Sequence, residues 1–211
     1  MDAASLVYAD GIAIVLLARI GGARVIERAP TTDIGISILR EMAKTLERPV
    51  RVALIGGPPG LADSAASVLQ EKSPAHTVFT SHGYFSDDLE MLDSLREARP
   101  DVIFLGLGMP LEAVWSVQNR SELPPSIVVT CGGWFGFLAG EERRAPLVLQ
   151  RLGLEWVYRL KQDFPRLAGR YSRGLLMSIS LIPSQLRVRR YTRGRSLFSS
   201  LTTRRNATLR G

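Results

Sequence analysis

Five arginines, Arg144, Arg151, Arg159, Arg166 and Arg170, are threaded through Leu147, Leu149, Leu152, Leu154, Trp156 and Leu160 in the stretch RAPLVLQRLGLEWVYRLKQDFPRLAGRY. A guanidinium fork matches phosphate oxygens, so arginines at this density point to an anion. The leucines and Trp156 between them call for an apolar surface in the same place. Nucleic acid, an anionic membrane surface and a pyrophosphate are the anions this pattern admits. At about 100° per residue, Arg151, Arg159, Arg166 and Arg170 share one broad helical face if the phase continues through Pro165.

Other side chains could carry chemistry too. Asp10, in YADGIAIV, is a carboxylate beside glycine ahead of an apolar segment. It could act as a general base or simply close an Asp-Gly turn. His82 could be an acid, a base or a phosphate donor. With two histidines in the chain and no Cys/His/Asp cluster at ligand spacing, a metal site is not expected. Cys131 is the only cysteine, which excludes an internal disulfide, suits a reducing compartment and reads as a small core residue. Asp87, Asp88 and Glu90 fall in the first turn of a helix, where carboxylates are favoured by its dipole.

The elements that must position these groups alternate. VRVALIGG (50–57), HTVF (76–79), DVIFLGLG (101–108) and SIVVTCGG (126–133) read as strands, with helical segments between them. The helix after the second strand is expected to begin at a Ser86 N-cap, and a single helix is expected from Pro146 to the Asp163-Phe164-Pro165 interruption. Continuous apolar strands separated by helices imply an α/β fold, a Rossmann-like, mostly parallel sheet flanked by helices, with a basic helical appendage at the C-terminus. Ligands of such sheets sit at the C-terminal ends of the strands. Here those ends are Gly56-Gly57-Pro58-Pro59-Gly60, His82-Gly83-Tyr84-Phe85, Gly106-Leu107-Gly108-Met109-Pro110 and Gly132-Gly133. Glycines there either let backbone N–H groups approach a phosphate or serve tight turns. GGPPG is neither a Walker loop nor G-x-G-x-x-G, which argues against an NTPase or a dehydrogenase.

Charge divides the chain of 211 residues, whose formal net charge is +7. Residues 1–140 hold 11 basic and 16 acidic residues, whereas residues 141–211 hold 16 and 4. The expected organisation is a core over 1–145, an Arg-rich helical appendage over 146–173, and an apolar then basic tail over 174–211. GLLMSISLIP (174–183) is too short to span a bilayer but could lie in its interface, and the final stretch is expected to be poorly ordered.

The order of motifs resembles the WecG/TagA/CpsF family of bacterial glycosyltransferases. G-L-E-W-V-Y-R-L followed by P-R-x-x-x-R-Y, and A-G-x-x-x-R-A-P over 139–146, carry the resemblance. The family's P-D-G is similar to Ala9-Asp10-Gly11, its R-x-x-G-x-D to Arg28 through Asp33, and its G-G-x-P-G to residues 56–60. HGYF, P-D-V-I-F-L-G-L-G-M-P and Gly132-Gly133 complete a resemblance over about residues 5–173.

The resemblance implies an inverting, metal-independent transfer, without cofactor, of a hexose-type sugar from a UDP-sugar donor to a polyprenyl-diphosphate-linked sugar. The sugar would be N-acetylmannosamine, its uronic acid or glucose, and the product would feed a bacterial surface polysaccharide or exopolysaccharide. The enzyme would work at the cytoplasmic face of the inner membrane as a peripheral protein. By the resemblance Asp10 is the base. Gly56, Gly57, Gly60, His82, Tyr84, Gly106, Gly108, Pro110, Glu112, Gly132 and Gly133 form the donor site. Arg159, Arg166 and Arg170 hold the acceptor diphosphate or the leaving nucleotide. An apolar patch between core and appendage would suit a second copy of the chain.

The chain also departs from the family pattern. Members usually carry a further segment ahead of P-D-G, including a strand and a polar motif. Pro110-Leu111-Glu112-Ala113 replaces Pro-Lys-Gln-Glu, Gly136 replaces an aspartate, and Thr31 replaces a glycine. These changes admit altered donor choice, or a degenerate, non-catalytic member acting as a membrane-associated binding protein. A nucleic-acid-binding module is a third alternative, disfavoured because no helix-turn-helix, zinc or RNP signature accompanies the arginines.

Overall fold

The computed structural model describes residues 4–162, 164–165, 168–169 and 172–187. They form two compact units, the first Thr31–Arg144 with the residues before Leu6, the second Leu6–Pro30 with the residues from Ala145 on.

The first unit is built on a sheet of four parallel strands, β1 (Val50–Gly56), β2 (Ala75–Ser81), β3 (Val102–Gly106) and β4 (Ile127–Thr130), in the order β2-β1-β3-β4. Val50, Val52, Ala53, Leu54 and Ile55 of β1 are all buried, as a strand covered on both faces requires. On one face Val52, Leu54, Val102 and Phe104 pack with α2 (Thr31–Leu46), α3 (Leu61–Lys72) and α6 (Trp134–Leu138), through Leu39, Ala65, Leu69, Trp134 and Phe135. On the other, Ala53, Ile55, Ile103 and Leu105 meet Met91, Leu92 and Leu95 of α4 (Asp88–Ala98) and Trp115 of α5 (Leu111–Gln118). The chain runs outward from β1 to β2 and then back past β1 to β3. The switch in direction lies between β1 and β3, where doubly wound sheets open a crevice at their C-terminal edge.

Two local expectations are corrected. The N-cap of α4 is Asp87, not Ser86: Asp87 Oδ1 accepts the N–H groups of Leu89 at 2.8 Å and Glu90 at 3.1 Å. A carboxylate one residue later satisfies two orphan amides and suits the dipole. The expected single helix after Pro146 is two, α7 (Leu147–Arg151) and α8 (Glu155–Gln162), parted at Gly153 with φ +71°. Glycine takes the left-handed conformation without a steric cost, so the phase linking Arg151 to Arg159 is lost.

In the second unit α1 (Ile12–Ile20) buries Val15 and Leu17, and a Cβ on Gly153 would lie 3.0 Å from Ile12 Cγ1. The Ala29 N–H donates to the Ala9 carbonyl at 2.8 Å. Residues 172–187 are helical without a break at 173, and their apolar centre is exposed: Leu175, Leu176, Met177 and Ile179 are each more than half accessible. The expectation of a poorly ordered end concerns residues outside those described.

At the N-terminal edge of the first unit, Arg48 grips Asp101 with two hydrogen bonds of 2.7 and 2.8 Å, and Arg51 N–H adds a third at 2.8 Å. The Arg48 guanidinium holds the Asp101 carboxyl below the usual carboxylate range, with burial opposing it. A group whose pKa is depressed on folding stabilises the fold above its unfolded pKa, about 3.9, and that contribution fades as pH falls through the folded value. Asp101→Asn should therefore show a flatter dependence of urea midpoint on pH than the wild type below about pH 4. A second prediction concerns Gly35 in α2, where a Cβ would lie 2.5 Å from Trp134 Cζ2. Alanine in a helix interior normally gains about 1 kcal/mol over glycine, but overpacking a core costs about 1 to 3 kcal/mol. Gly35→Ala should lower the melting temperature.

Candidate functional site

In the first unit the sheet delivers its glycine loops to one edge. β1 and β3 approach so closely there that a Cβ on Gly56 would collide with the Gly106 carbonyl, and one on Gly106 would lie 2.9 Å from Gly132 O. These two glycines are explained by backbone packing alone. Gly108 and Gly132 differ: φ is +79° and +52°, and a Cβ on either would meet nothing within 4 Å. They line open space, as does Gly60 at the N-terminus of α3, whereas a Cβ on Gly57 would strike Leu61. Gly83 N–H donates to Gly57 O at 2.8 Å, joining the exits of β1 and β2.

His82 Nδ1 accepts the Tyr84 N–H at 3.1 Å, which leaves the proton of a neutral ring on Nε2. The Tyr84 ring is 74 % exposed beside it. Pro110 caps α5, and Glu112, in its first turn, is buried. Glu112 Oε2 accepts the Gly108 N–H at 3.0 Å and the Gly132 N–H at 3.1 Å. Cys131 donates its thiol to Leu105 O at 3.2 Å. Burial foremost, and the Glu112 charge second, push that thiol well above its ordinary pKa, so it stays protonated. Asp88, read as a helix-end carboxylate, accepts the Trp115 Nε1–H at 2.7 Å.

A shallow cavity at the opposite edge of the sheet is lined by Arg48, Arg51, Arg96 and Arg99. Arg48 is held by Asp101, Arg51 by the carbonyls of Ala98 and Arg99, and Arg96 by Asp93 and Glu122. This edge is an ion-pair seam.

In the second unit Asp10 is exposed and makes no hydrogen bond or ion pair with any described residue. It does not cap α1, whose N-cap is Gly11 with no side-chain bond. Arg159 pairs with Glu155 at 3.2 Å across one helical turn, and Arg28 NH1 reaches the other Glu155 oxygen at 2.7 Å. Glu155 is 5 % exposed. A buried carboxylate is stable only when paired, and here it gathers two guanidiniums from segments far apart in sequence. The Ala29–Ala9 bond ties the residue after Arg28 to the residue before Asp10. Arg166 and Arg170 lie outside the described residues. Arg28 and Glu155 were not singled out as site residues from sequence. Glu155 could have been, as an acidic residue between Leu154 and Trp156 in an otherwise basic stretch.

The model of the Glycosyl transferase WecG/TagA/CpsF family matches residues 1–193. Two proteins of Staphylococcus aureus, from strains MW2 and NCTC 8325 / PS 47, are each 27 % identical to the chain over 169 residues. Both are named N-acetylglucosaminyldiphosphoundecaprenol N-acetyl-beta-D-mannosaminyltransferase. The match covers 79 % of this chain and 65 % of each relative, so the chain spans about two thirds of their length.

Removing one partner of Glu155 should be costly. Arg28→Ala is expected to lower the unfolding free energy by about 1 to 3 kcal/mol, the usual cost of stranding a buried polar partner. In urea denaturation this loss should shrink when Glu155→Gln is already present, because the charge to be compensated is gone.

Proposed function

Because the chain belongs to the WecG/TagA/CpsF glycosyltransferase family, we propose that it transfers an N-acetylmannosamine-type hexose from UDP to a polyprenyl-diphosphate-linked sugar, with inversion and without a metal. The relatives' names favour this sugar over its uronic acid or glucose. One observation supports the mechanism: the Ala29–Ala9 hydrogen bond joins the backbone next to Asp10, which has no partner among the described residues, to the segment bearing Arg28, whose guanidinium joins Arg159 through Glu155. A base and a guanidinium cluster thus belong to one unit.

In the proposed reaction the acceptor hydroxyl attacks the anomeric carbon as Asp10 takes its proton. The bond from that carbon to the UDP oxygen breaks, and its electron pair leaves with the diphosphate. Arg159, with Arg166 and Arg170, neutralises the diphosphates. In the first unit, the glycine loops at the C-terminal edge of the sheet are the proposed donor contacts, and Tyr84 is exposed.

The lipid acceptor requires a membrane surface. Among the described residues no helix is long and apolar enough to cross a bilayer. The helical stretch 172–187 instead exposes Leu175, Leu176, Met177 and Ile179 between Arg173 and Arg187. Apolar side chains entering the interface, with basic residues worth about 1 kcal/mol each near an anionic leaflet, give reversible peripheral attachment.

A second reading, a member that binds but does not transfer, is favoured by Glu112, whose carboxylate occupies two amides at the proposed donor edge. The deciding assay offers UDP-N-acetylmannosamine and other labelled UDP-hexoses to polyprenyl-diphosphate N-acetylglucosamine in liposomes. Transfer is expected, and Asp10→Asn should reduce it by about 10²-fold or more, the usual worth of a general base. No transfer from any donor by a folded protein would instead establish the binding member.

A further inference from the structure

We infer that Glu112 is a positioning residue: its carboxylate clasps the exit loops of β3 and β4 and fills, from within the protein, the anion site that the Gly108 and Gly132 amides would otherwise form. This rests on the reading that the donor meets this edge of the sheet.

The β3–β4 ladder ends at the pair Leu105–Thr130, and the Cys131 N–H to Leu105 O bond of 2.8 Å is its last extension. Beyond that point a Cβ on Gly108 or on Gly132 would meet nothing within 4 Å. One oxygen of Glu112 then accepts an N–H from each loop, at 3.0 and 3.1 Å, in a residue only 3 % exposed. Two converging glycine amides without side chains are the kind of backbone concavity that takes a phosphate. Here a carboxylate of the same sign already sits in it, tethered by the first turn of α5. A diphosphate arriving at this edge meets amides already engaged and a fixed negative charge, so it is received by other donors. Glu112 therefore sets where the diphosphate can lie.

Amide resonances of the full chain test this. Glu112→Ala should raise hydrogen exchange at Gly108 and Gly132 at least tenfold, leaving core amides of β1 unchanged. Glu112→Gln, which keeps a side-chain oxygen in place, should recover most of the protection. Inorganic phosphate or UDP should leave both glycine resonances in place in the wild type and shift both in Glu112→Ala. Unchanged exchange in Glu112→Ala, or a wild type whose two amides shift on adding phosphate, would overturn the inference. The wild-type titration and Glu112→Gln decide the matter should Glu112→Ala fail to fold. Exchange is read without nucleotide, so it judges the clasp by itself; a wild type in which UDP shifts no resonance would remove the proposed donor instead.

Discussion

The double coverage of β1 and β3 governs the first unit. Apart from Arg51 at the start of β1, the side chains of these strands are apolar on both faces, so each face must be sealed by helices, and the crossovers must leave the sheet on both sides. With parallel strands all exits then fall on one edge. There the backbones come close enough that Gly56 and Gly106 admit no side chain. The glycine-lined edge is a consequence of how the core is sealed.

Buried carboxylates organise each unit in turn. Glu112 and Glu155 are 3 % and 5 % exposed, and burying a carboxylate costs several kcal/mol or more unless donors surround it. Glu112 is met by backbone amides and therefore orders loops. Glu155 is met by guanidiniums and therefore orders cations. The same chemical group thus produces a filled anion site in one unit and an arginine cluster in the other. The difference lies in the donor, a short fixed N–H against a long side chain that must be held to point anywhere.

Arginine serves two purposes in this chain. Around Asp101 it joins strand and helix ends, with the guanidiniums spent on carboxylates and carbonyls. Around Glu155 it gathers beside the segment that bears Asp10, in a unit whose helical stretch 172–187 leaves large apolar side chains uncovered. The second arrangement brings an exposed carboxylate, cations and an apolar surface into one unit, as the proposed transfer would need.

The parallel sheet, its strand ends and the glycine loops were legible in the sequence, because apolar runs such as VALI and VIFL ending in glycine express local and short-range rules. The family too was legible, from motifs in order along the chain. Capping was legible only to within a residue, since Ser86 and Asp87 both suit an N-cap and the choice depends on backbone geometry. Tertiary structure alone decided that Leu6–Pro30 belongs with the residues from Ala145 on, that Arg28 shares Glu155 with Arg159, and that Glu112 bridges Gly108 and Gly132. Each of these joins groups by a direction in space, and periodicity along a chain carries no information about which distant donor a buried carboxylate will face.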